Sequence, residues 1–63
     1  MNKSETREVE RLDLALRAGL CDRATVARAL SALVRAARTS KSRAALAGQA
    51  ESWGVTSHPD YIV

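Results

Sequence analysis

The side chains able to do nucleophilic, acid–base or metal chemistry are few and widely spaced. There is one cysteine, Cys21, and one histidine, His58, 37 positions further along. A Cys–His nucleophile needs the two within hydrogen-bond reach and a third group to orient the imidazole. Asp60 stands close to His58, but at i+2 across Pro59 the pairing reads as a turn-capping contact. Cys21 reads as a small buried thiol. One Cys, one His and scattered carboxylates have no zinc-ligand spacing. Glycine occurs only at 19, 48 and 54, so no glycine-rich loop can cradle a phosphate. Glu5, Glu8, Glu10 and Asp13 run among arginines, the pattern of a solvated helix face. These residues imply no enzyme, no cofactor, no metal and no small-molecule substrate. The expected mode of action is binding.

Charge is distributed unevenly. The formal net charge is +3, yet residues 1–21 cancel to zero. Residues 22–47 set Arg23, Arg28, Arg35, Arg38, Lys41 and Arg43 against Asp22 alone, and residues 48–63 carry Glu51 and Asp60. The middle of the chain is therefore the basic part, which admits anionic partners.

The elements that must position these arginines read as helices. Val9, Leu12, Leu16 and Leu20 fall at i, i+3, i+7 and i+11, one face of a helix over about 4–18. Asn2 or Ser4 can cap it and Gly19 can end it in a left-handed conformation. Leu14 lies off that stripe. Asp22 suits the N-cap of a second helix over about 23–38, with Val26, Ala29, Leu30, Leu33, Val34 and Ala37 on its apolar face. Arg28 and Arg35 point away from that face with Arg38 beside them, a basic stripe down the back.

Thr39-Ser40-Lys41-Ser42 reads as a short connection, because Ser and Thr hydroxyls compete for backbone hydrogen bonds. A third helix follows over about 42–53, with Leu46, Ala50 and Trp53 on one face and Gly54 closing it. The alternative is one unbroken helix from Arg23 to Trp53, since no Pro or Gly intervenes before Gly48. The tail is not helical at Ser57-His58-Pro59, and Tyr61, Ile62 and Val63 are expected to fold back beside Trp53. The fold class is all-α: two or three short helices forming a hairpin or three-helix bundle, with an ordered non-helical tail, in one domain over 1–63.

The run D-L-A-L-R-A-G-L-C-D-R-A-T-V-A-R-A-L, Asp13 to Leu30, resembles the helix-turn-helix of lactose-repressor-type regulators. Ala15 matches the small residue where the helices cross, Gly19 the turn glycine and Leu20 the apolar residue after it. The resemblance implies that Arg23, Thr25 and Arg28 face DNA, while Val26 and Leu30 pack inward. Cys21-Asp22 departs from the pattern by making the turn one residue longer. A second resemblance spans the chain. Its length, the L-S-A-L-V-R-A-A-R-T-S-K-S-R-A-A-L core from Leu30 to Leu46, and the W-G-V-T-S-H-P-D-Y-I-V ending are similar to small accessory proteins of Mu-like phages of GC-rich bacteria. That similarity implies a stand-alone phage protein that binds a host protein or nucleic acid and modulates host machinery or defence. It assigns no individual residue.

Alanine makes up 12 of the 63 residues, so larger apolar side chains are scarce and a lone subunit would have a thin core. A homodimer is the expected remedy, its core built on Val9, Leu12, Leu16, Val26, Leu30, Leu33 and Leu46. Leu14 and Leu20 are the expected subunit contact, and Trp53 and Tyr61 are anchors of core or interface. The basic candidates for partner contact are Arg23, Thr25, Arg28, Arg35, Arg38, Lys41 and Arg43. A structural role in a larger particle is the third reading. No apolar run reaches the length of a membrane span. The mixed-charge N-terminus and lone cysteine fit a cytoplasmic protein.

Overall fold

The computed structural model describes every residue from Met1 to Val63. Asn2 opens the first element. Its side-chain oxygen accepts the Glu5 N–H at 2.8 Å, and the Glu5 carboxylate accepts the Asn2 N–H at 2.9 Å. This reciprocal capping box satisfies donors that a helix start leaves orphaned, and α1 runs Lys3–Arg17. Gly19 at φ +72° turns the chain out of the helix through the region that glycine enters without strain.

Asp22 caps α2, Arg23–Ala36, by accepting the Thr25 N–H at 2.9 Å and the Thr25 hydroxyl at 2.7 Å. Those two bonds, the backbone one first, hold the Asp22 carboxyl below its ordinary value. The helix ends at Ala36 rather than Arg38 because Ala37 swings to ψ 129° and Thr39 caps again, accepting the Ser42 N–H at 3.0 Å. α3 therefore spans Ser40–Ser52, starting two residues before the expected position. The connection is Ala37–Thr39, and the hydroxyl-rich stretch after it serves as the cap and first turn. The unbroken helix does not form.

The three helices build an all-α bundle with no strand. α2 is central and packs more extensively on α3 than on α1. The main core joins Val9 of α1, Val26, Ala27, Leu30 and Val34 of α2, Ala37 of the connection, Leu46 and Ala50 of α3, and Val55 beyond it. Leu12 is buried as well. Leu16 and Leu33, expected inside, are half-buried against the core. Leu20 leaves the predicted stripe and is 81% exposed. The helix that would carry its i+11 spacing has already ended at Arg17.

After α3 the chain is non-helical. Trp53 and Tyr61 rest half-buried on the core, while the side chains of Ile62 and Val63 stand in solvent instead of folding beside Trp53. The backbone there hangs from α2 by a polar hook. Buried Ser31 accepts the Ile62 N–H at 2.8 Å and donates its hydroxyl to the Ala27 carbonyl at 2.7 Å. No helix is long and apolar enough to cross a membrane.

Candidate functional site

The N-terminal turn of α2 carries Arg23, Thr25 and Arg28, the residues that the helix-turn-helix resemblance turns toward DNA. Each is engaged within the molecule. The Arg23 guanidinium donates to the Gly54 carbonyl. Thr25 is bonded to its cap, Asp22. Arg28 Nη1 lies 2.9 Å from Asp60 Oδ2 in the tail. That last pair is 62% and 38% exposed, so it contributes at most about 1 kcal/mol and opens readily. Gly19 occupies the expected turn and Ala15 is half-buried. Leu20 stands outside, where the resemblance places a packed residue.

His58 and Cys21 take local roles. The imidazole Nδ1 accepts the Asp60 N–H at 3.1 Å, which fixes the turn around Pro59. Cys21 is a half-buried free thiol.

The remaining basic residues divide by their partners. Arg43 reaches back to cap α2, donating to the Ala37 carbonyl at 3.1 Å. Arg35, Arg38 and Lys41 are exposed and join no ion pair. The expected stripe is thus broken: Arg28 is drawn to the tail, and Arg38 lies past the end of α2.

Two cations that the sequence reading passed over belong with this group. Ser4 and Glu8 of α1 line a groove of about 400 Å³ together with Ala29, Ala32, Leu33 and Ala36 of α2. The start of α1 therefore lies along the second half of α2, and Lys3 and Arg7 share a recess with Ser4 and Glu8 there. Along the sequence, the charges of α1 cancel. In the fold, Glu5 is taken by the capping box, Glu8 pairs with Arg11, and Asp13 pairs with Arg17 at 3.2 Å. Lys3 and Arg7 join no ion pair, with Glu10 the one α1 carboxylate left over.

The functional candidates thus reduce to these unpaired cations and the apolar groove between α1 and α2. Leu14, at 68% exposed, and Leu20 stand outside both. The chain matches no protein-family model, no curated protein and no solved structure.

Proposed function

We propose that this chain is a non-catalytic accessory protein, of the phage type that its sequence resembles, and that it acts by binding a host protein. One observation carries this reading. Arg35, Arg38 and Lys41 are exposed where α2 gives way to α3, Lys3 and Arg7 share a recess with the groove residues Ser4 and Glu8, and none of the five joins an ion pair. Like charges collected without partners repel one another in the free protein. Carboxylates on a partner relieve that repulsion and speed the encounter. An apolar groove beside the charges favours a protein over a phosphate backbone.

The test is affinity capture from nuclease-treated bacterial lysate. The wild-type chain retains one stoichiometric protein, and the double variant Arg38→Glu/Lys41→Glu loses it. Empty beads with the wild type overturn the reading. The competing DNA-reading role is identified by a different result: duplex DNA retarded at ~150 mM salt, with Arg28→Ala weakening binding and lowering the salt slope. Self-association through Leu14 and Leu20 belongs to the same proposal. Sedimentation at micromolar concentration should give a dimer that Leu14→Ser/Leu20→Ser converts to monomer.

A further inference from the structure

We infer that the groove between α1 and α2 is a docking site for an acidic amphipathic helix of a partner protein. The inference rests on the proposed function and names the chemistry of its partner. The floor is Ala29, Ala32, Leu33 and Ala36, spaced i, i+3, i+4 and i+7, which is one stripe along α2. At 1.5 Å per residue this stripe is about 10 Å long, two turns of a docked helix. Ala32 and Ala36 are exposed and Leu33 is half-buried, so the floor is not consumed by the core. Small side chains let a second helix approach closely, and Leu33 offers a larger apolar contact.

The walls set the sign of the partner. On α1, the unpaired Lys3 and Arg7 share a recess with Ser4 and Glu8, the two residues that also line the groove. On α2, exposed Arg35, which joins no ion pair, sits at i+3 from Ala32. The one carboxylate in the lining, Glu8, is already paired with Arg11. An apolar floor between two cationic walls matches a helix whose apolar stripe is flanked by Asp and Glu. A nucleic acid has no apolar stripe to lay on four aliphatic side chains. A second copy of this chain would bring its own cationic walls against these.

The probe is a fluorescein-labelled synthetic helix of about 16 residues, long enough for marginal helicity, with leucines at i, i+3, i+4 and i+7 and glutamates on both flanks. Fluorescence polarisation should show saturable binding to the full-length protein. The same peptide with lysine in place of glutamate should not bind. Ala32→Glu and Arg35→Glu, each at an exposed helical position and checked for wild-type circular dichroism, should weaken binding about tenfold or more, or ~1.4 kcal/mol. Three results overturn the inference: no binding by the folded wild type, unchanged binding by the folded Ala32→Glu variant, or a wild-type dimer that Ala32→Glu makes monomeric. The two proposals fail separately. If the groove variants still capture the lysate protein while Arg38→Glu/Lys41→Glu does not, the groove inference falls and the proposed function stands.

Discussion

Two side chains show how much a single residue decides. Asp22 has its carboxyl held low by the Thr25 bonds. A depressed carboxylate contributes stability that is complete above the unfolded value, near 3.9, and is lost as pH falls through the lower folded value. The melting temperature of the wild type should therefore drop through that acid window, and Asp22→Asn should show a smaller drop when both are followed by circular dichroism. Ser31 is the opposite kind of residue, buried and uncharged. Its hydroxyl is the one side-chain anchor for the Ile62 N–H. Ser31→Ala should cost about 1–3 kcal/mol in urea unfolding, because a partly buried donor loses its acceptor. The tail beyond Trp53 should become protease-sensitive at the same time. Asp60→Ala, which removes only the exposed pair with Arg28, should change stability by less than about 1 kcal/mol in the same measurement.

At the level of elements, each helix begins at a side-chain cap: Asn2, Asp22 and Thr39. The second is plain in the sequence because Asp22 stands just ahead of an apolar period, whereas the first lay between Asn2 and Ser4 until the capping box with Glu5 settled it. The third was masked by its surroundings. Four consecutive Ser, Thr and Lys residues look like a linker, and only the choice of Thr39 as cap separates a three-residue turn from a longer one. Thr39→Ala should cost about 1 kcal/mol and fray the start of α3, read by amide hydrogen exchange at Ser42 and Arg43. The exchange change should stay local, since the Arg43 bond to the Ala37 carbonyl still ties the two helices.

As a whole molecule, the chain has a radius of gyration of 10.6 Å, close to the ~10.6 Å that size scaling assigns to a compact domain of this length. Yet Leu30 and Leu46 are the only leucines that are fully enclosed. So few large side chains leave little reserve. Leu30→Ala or Leu46→Ala should cost about 2–5 kcal/mol, a large share of the ~5–15 kcal/mol that holds a typical domain folded, and should lower the thermal midpoint by roughly 10 °C or more.

The choice of Asn2 over Ser4 and the break between α2 and α3 came from the structure, whereas the sequence alone determined the all-α class, the Asp22 cap, the glycine stops at Gly19 and Gly54 and most of the core. Those features depend on bonds between residues three or four apart and on a 3.6-residue period. The tertiary structure alone decided which charges remain without partners. Lys3 and Arg7 come beside the groove floored by α2 only because α1 packs along that helix, and Arg28 finds Asp60 across 32 positions of chain. Ion pairing acts through space over a few ångströms, so no reading of neighbours along the chain could have divided the free cations from the paired ones.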